Sequence, residues 1–381
     1  MPRSIASCVL LCAMVLTVGA QAPPQWTVDP LWPQPLPNHW ILGSVTGTAL
    51  DADDRLWVAH RGAASMVLRT ENGLDATPPG SEYCCAAAPA LLAFGPDGAL
   101  THHWGGPGDG YDWPRNLGGI AVDGSGHVWL TAAGLPPTPA GRGGAAQPPP
   151  PEDAHILKFT RDGKFVLQIG KAGAPGDASS RTGLLRPSAV DVDPVANEVF
   201  VGDTGNRRVV VFDATTGAYK RHWGAYGEVP DAQVTIPAYT PTAPAARQFR
   251  TISCVTLATS GEVFVCDRDS NRLQVFRTDG TFVREAIVSP ATLGAGSTWD
   301  VAFSRKGAQP FVFVANGQEQ TVHVLSRDTL TEVSRIGTGG RWPGHFFGVG
   351  AVEVDSQGHI LTGEALQGKR VQKFLARQGQ R

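Results

Sequence analysis

A-V-D-V-D-P-V-A-N-E-V-F-V at 189–201 is the stretch that decides the fold. An apolar run ends in Asp, a turn follows, and a second run rich in Val and Phe returns. Short β-branched runs bounded by turn residues read as paired antiparallel strands. The same pattern stands at 47–58 (G-T-A-L-D-A-D-D-R-L-W-V), 119–130 (G-I-A-V-D-G-S-G-H-V-W-L) and 254–265 (C-V-T-L-A-T-S-G-E-V-F-V). It returns as D-V-A-F-S at 300–304 leading to F-V-F-V at 311–314, and as A-V-E-V-D-S-Q-G-H-I-L at 351–361, giving six copies.

A third strand follows each pair, clearest in N-R-R-V-V-V-F at 206–212, N-R-L-Q-V-F at 271–276 and K-R-V-Q-K-F at 369–374. A T-D-G or R-D-G turn then leads to a fourth, as in K-F-V-L-Q-I-G at 164–170. One such four-stranded sheet has two apolar faces and cannot bury both alone. Six arranged radially bury them against one another, so the expected fold is an all-β, six-bladed β-propeller. The last repeat stops after its third strand. Gln25-Trp26-Thr27-Val28 is expected to supply the missing fourth and close the ring, leaving no open sheet edge.

Arg3, an apolar run from Ile5 to Val18 and the small pair Gly19-Ala20 form the pattern of a secretory leader. The expected organisation is therefore a signal peptide at 1–20, the propeller at 21–376 and a short tail at 377–381, with a secreted or periplasmic location. No later run approaches the ~18 apolar residues of a membrane span. A formal net charge of −2 gives no electrostatic case for nucleic acid. Four cysteines follow the leader. Cys254 and Cys266 lie on successive strands and could face each other; Cys84 and Cys85 could pair or stay reduced. Long insertions occupy 62–89, 134–153 and 225–248; 138–151 reads as disordered and Tyr83-Cys84-Cys85 as an ordered lid.

Because successive strands are antiparallel, the start of each first strand and the end of each second strand share one face. One ring there holds Thr46, Gly118, Ser188, Ser253, Trp299 and Gly350; another holds His60, Ala132, Asp203, Asp267, Asn316 and Glu364, flanked by Arg61 and Arg268. A concave mouth with convergent polar groups is the expected ligand site.

L-W-V-A-H-R-G at 56–62, V-G-D-T-G-N-R-R-V at 201–209, W-G-A-Y-G at 223–227 and V-C-D-R-D-S-N-R-L-Q-V-F at 265–276 carry a family resemblance. The chain resembles the NHL-repeat propellers related to peptidyl-α-hydroxyglycine α-amidating lyase. That resemblance implies cleavage of a carbinolamide C–N bond to an amide and glyoxylate. It also implies a tunnel zinc held by three histidines and an arginine on the substrate carboxylate. Gly118, Ser253 and Gly350 stand where the histidines would be, so no metal is expected there. Arg61 stands where the arginine would be.

The site residues read from the sequence are therefore His60, Arg61 and Glu364 for catalysis. Arg61, Asp203, Asp267, Arg268, Trp299 and Asp300 are those for ligand binding. Asp191 and Asp193 leave room for structural calcium, though no cofactor is required. Three function classes remain: a binding propeller for a small carboxylate-bearing or peptide ligand, a lyase-like enzyme with altered or metal-independent chemistry, and a scaffold for a protein partner.

Overall fold

The computed structural model describes residues 25–66, 71, 73–134, 152–305 and 309–377. The leader at 1–20, the stretch 138–151 and residues 378–381 lie outside these.

Six four-stranded antiparallel sheets form the blades. Their innermost strands, in chain order, are Val45–Leu50, Leu117–Val122, Pro187–Asp193, Ile252–Leu257, Asp300–Phe303 and Val349–Val354. These pack side by side in a closed ring, the sixth against the first. Trp26–Asp29 pairs antiparallel with Val371–Ala376, Trp26 opposite Ala376, and completes blade 6. The two chain ends are thus zipped together, and that sheet keeps no unpaired outer edge of its third strand.

The core is divided into six clusters, one at each blade interface. Strand alternation produces this division. Along Glu262–Asp267, Val263 and Val265 face blade 3 while Phe264 and Cys266 face blade 5. Alternate side chains point to opposite faces of a sheet, and here both faces are interior. Cys254 sits opposite Cys266 in register, and the two form a disulfide; Cys84 and Cys85 are also joined.

The repeated Asp of the sequence motif has a local task. Asp51 Oδ1 accepts from the amides of Asp53 and Arg55, and its Oδ2 accepts from Trp57 Nε1. Asp123 does the same for Ser125, His127 and Trp129, and Asp355 for Gln357 and His359. A short carboxylate closing its own turn explains why Asp recurs at four of the six hairpins, with Ala258 and Ser304 in its place in blades 4 and 5. The Tyr83–Cys85 segment is ordered: Ala86–Ala87 pairs in parallel with Trp40–Ile41, and Leu74 donates to the Cys85 carbonyl.

Candidate functional site

The inner strands enclose an axial cavity of about 470 Å³ lined by residues of all six blades. At one end the register slips in five blades, between Val45 and Gly47, Leu117 and Ile120, Pro187 and Ala189, Ile252 and Cys254, and Val349 and Ala351. Thr46, Gly118, Ser188, Ser253 and Gly350 are therefore bulged residues. A β-bulge leaves one residue outside the ladder and re-aims it, here at the tunnel. In blade 5 Trp299 precedes its strand and takes the equivalent place.

These positions are filled by their surroundings. A Cβ on Gly118 would run into Thr131 Oγ1 and would stand 2.8 Å from Ala133 Cβ. A Cβ on Gly350 would stand 3.2 Å from Ala365 Cβ and 3.4 Å from the Trp299 ring. Ser253 Oγ donates to the Thr298 carbonyl at 2.7 Å, and Ser188 Oγ to the Ile252 carbonyl at 2.5 Å, each across to the next blade. The three-histidine zinc implied by the family resemblance does not fit these residues. Two carry no side chain, with no room for one at Gly118 and a tight fit at Gly350, and the third has its hydroxyl engaged. Among the described residues no group of three His, Cys, Asp or Glu side chains is arranged to hold a metal. Gly118→Ala is expected to destabilise the fold by about 1–3 kcal/mol through overpacking. Urea denaturation measures it; an unchanged midpoint would mean that Thr131 gives way.

The second ring is placed differently from the sequence expectation. His60, Asp203, Asp267, Asn316 and Glu364 end the second strands but are fully buried. Their polar atoms hold neighbouring loops. His60 Nδ1 accepts from the amides of Gly43 and Gly62, and Nε2 bonds the Pro89 carbonyl at 2.7 Å. This pattern assigns the neutral Nε2–H tautomer, and burial pushes the imidazole pKa down to about 4. Gly62 supplies one of those amides at φ +49°, a conformation glycine adopts without strain. Glu364 accepts from Arg370, Gln372 and the Phe347 amide. Asp203 binds Arg208, Asn206 and the Leu185 amide, and Asp267 binds Arg272 and the amides of Arg250 and Thr251. His60 and Glu364, expected to be catalytic, and Asp203 and Asp267, expected to contact ligand, are thus buried side chains that bond the neighbouring loops. Five of the six second strands end in a polar side chain that bonds the loops around it; blade 2 ends in Ala132.

Asp300 moves too. It lies inside the tunnel wall, where its carboxylate accepts from the amides of Val301 and Val352 and bridges blades 5 and 6. Asp191 bridges blades 3 and 4 likewise through Val192 and Leu257. Asp193 instead closes the turn at Val195 and Ala196. Glu353 shares the tunnel with Asp191 and Asp300. Burial raises Asp191 to about 6, Asp300 to about 7 and Glu353 well above the usual range, with mutual repulsion adding to the last.

Two groups stay at the mouth with reach to spare. Arg268 extends its guanidinium 4.8 Å above the Trp299 ring and bonds Asp269 at 3.1 Å. Arg61 follows the second strand of blade 1, anchored by its amide to the Ser44 carbonyl. Its exposed side chain makes no hydrogen bond or ion pair among the described residues. Surrounding protein still desolvates the guanidinium and lowers its pKa.

Fold and tunnel define the class: a six-bladed β-propeller. Within that class, the chain is distantly similar in sequence to the peptidylglycine α-amidating enzymes. It is 28% identical over 172 residues to peptidyl-glycine alpha-amidating monooxygenase A of Xenopus laevis, covering 44% of this chain and 15% of that protein. It is 24% identical over 297 residues to the peptidylglycine alpha-amidating monooxygenase of Rattus norvegicus, covering 74% of this chain and 25% of that protein. The chain spans a quarter or less of these curated relatives. No protein-family model matches it. Similar solved structures include virginiamycin B lyase from Staphylococcus aureus (TM-score 0.47, 10% identity, 92% of this chain and 89% of that one). Its catalytically inactive form with quinupristin gives 0.46 and 11%, over 93% of this chain and 89% of that one. Among the described residues no helix is long and apolar enough to cross a membrane.

Proposed function

We propose that this propeller binds a small carboxylate-bearing or peptide ligand at the tunnel mouth, with Arg61 as the carboxylate anchor and without three-histidine zinc chemistry. The observation that carries the reading is the Arg61 guanidinium, partnerless among the described residues and partly desolvated on the tunnel face. A guanidinium offers two parallel N–H donors that match a carboxylate. Similarity to enzymes named for peptidylglycine supports a peptide ending in a free glycine carboxylate. Trp299, backed by Arg268, offers an aromatic face for the rest of the ligand.

The test is calorimetric titration with acetyl-Ala-Phe-Gly and its C-terminal amide. The acid binds and the amide does not. Arg61→Ala weakens the acid roughly 10- to 100-fold, the worth of a charge-assisted contact. Equal affinity of wild type and variant ends the reading. A lyase without the metal is the second reading, favoured by the sequence similarity alone. Glyoxylate release from a peptide ending in α-hydroxyglycine would put it first; none is expected.

A further inference from the structure

Blade 3 carries a second cavity, a cleft of about 510 Å³ that shares no lining residue with the axial one. Residues 175–179, before the blade's inner strand, form one wall. Residues 229–233, after its fourth strand Tyr219–Trp223, form the other, and Leu185, Asn206 and His222 complete the lining. Both walls are held from behind. Arg208 Nη1 donates to the carbonyls of Ala178 and Ser180, and Asn206 Nδ2 to that of Gly176 at 3.1 Å. Arg207 Nη1 donates to the carbonyls of Asp231 and Val234. Gln248 accepts from the Asp231 amide at 2.9 Å and donates to the Val229 carbonyl at 3.1 Å. The cleft is thus preformed, and its volume lies in the range of small-molecule sites.

Its polar lining is made of acceptors. Two charged side chains line it, Asp177 on one wall and Asp231 on the other, and neither is in an ion pair with a described residue. Asp177 Oδ1 accepts from the Ser179 amide and hydroxyl, and Asp231 Oδ1 from the Gln233 amide. The Oδ2 of each therefore has no donor among the described residues. Asn206 is only 1% exposed. Both partners of its Nδ2, the Gly176 carbonyl and Asp203 Oδ2, are acceptors, which fixes the orientation of the amide. Its Oδ1 accepts from no described residue, and a buried acceptor left in this way calls for a donor from outside the chain. His222 adds no positive charge, because burial, and then the charges of Arg208 and Arg181, lower its pKa. Those arginines do not line the cleft: Arg208 is bonded to Asp203, and Arg181 lies 5.5 Å over the Tyr219 ring. The remaining surface is apolar, with Leu185 and Pro230 in the lining and Val229 held 83% exposed at its edge.

We infer that this cleft binds a small molecule with a protonated amine on an apolar body, the ammonium taken by the carboxylates of Asp177 and Asp231. An ammonium brings three donors and no acceptor, which suits a lining of free acceptors without a cation. Like-signed facing charges in a concave site favour a ligand of the opposite sign. The site is independent of the Arg61 pocket, since the two call for ligands of opposite charge.

The probes are 2-phenylethylamine and 2-phenylethanol, which share ring and length and differ in the charged group. Neither carries a carboxylate, so the outcome does not depend on Arg61. Calorimetry on the full chain at pH 7 should show the amine binding about 3- to 10-fold tighter than the alcohol, the worth of two exposed charge contacts. In the Asp177→Asn/Asp231→Asn double variant that advantage disappears. Asn keeps an oxygen for the Ser179 and Gln233 amides, so the walls remain. Ala232→Trp, which fills the cleft, abolishes binding of both probes. Equal affinity of amine and alcohol for wild type overturns the inference, as does no binding of the amine. An advantage that survives in the double variant places the amine elsewhere and overturns it too. The wild-type comparison decides even where a variant folds poorly.

Discussion

Arg208→Ala is expected to lower the unfolding free energy by about 3–5 kcal/mol, the penalty for breaking a buried ion pair from one side. Arg208 is fully buried against an equally buried Asp203, Nε to Oδ2 at 2.8 Å. Its two remaining nitrogens serve the carbonyls of Ala178, Ser180 and Gly183 at 2.6–3.0 Å. One guanidinium thus ties the blade to the 178–185 loop that leads into its inner strand. Truncation leaves a carboxylate, whose pKa burial already raises, without its counter-charge, and leaves three carbonyls without a donor. Arg208→Lys should recover only part of the loss, since an ammonium cannot reproduce the planar fork. Arg272 repeats the arrangement in blade 4, binding Asp267, Tyr226 and the Ala246 carbonyl, and Arg272→Ala should be comparably severe. Urea denaturation followed by circular dichroism measures both. A loss below about 1 kcal/mol would mean that the loops, not the arginines, hold the mouth.

The same residues mark where sequence reading ended. D-T-G-N-R-R at 203–208 and D-R-D-S-N-R at 267–272 announce a tight turn after the second strand, and the structure has one in each case. The repeat, the blade count and the closing strand were all legible, because each follows from apolar alternation and its spacing. Strand order also put the right segments on one face. It could not say which way a terminal side chain turns. His60, Asp203, Asp267 and Glu364 turn inward because the loops above them present unpaired amides, a tertiary fact with no local signal. Thr46, Ser188 and Ser253 turn to the tunnel because the register slips beside them, and a bulge cannot be read from alternation.

Asp300→Asn should change how stability depends on pH, and the direction follows from the raised carboxyl. Folding lifts Asp300 from 3.8 to about 7, mainly by desolvation. Between those values the folded state binds more protons than the unfolded one, so this group's contribution falls as pH rises through the window and is fully lost above it. A shift of this size corresponds to about 2–4 kcal/mol after allowance for partial solvent screening. Wild-type stability alone will not display it cleanly. His60, lowered from 6.5 to about 4, acts in the opposite sense over part of the same range. The difference between variant and wild type isolates Asp300. Asn keeps one acceptor but presents its amide nitrogen to either the Val301 or the Val352 amide. At pH 5 the variant should therefore be less stable than wild type by about 1–3 kcal/mol, the loss of one buried hydrogen bond. Towards pH 8 the gap should close or reverse, as wild type must ionise Asp300 beside Asp191 and Glu353. Glu353→Gln provides the contrast. Glu353 accepts no hydrogen bond from a described residue, so its amide should cost little at pH 5 and still flatten the slope. Parallel curves for Asp300→Asn and wild type from pH 5 to 8 would show that the tunnel carboxyls ionise as freely as in water. Crossing curves would show that burial beside Asp191 holds Asp300 protonated at low pH, and that its ionisation costs more in desolvation and repulsion than the two amide bonds to the carboxylate return.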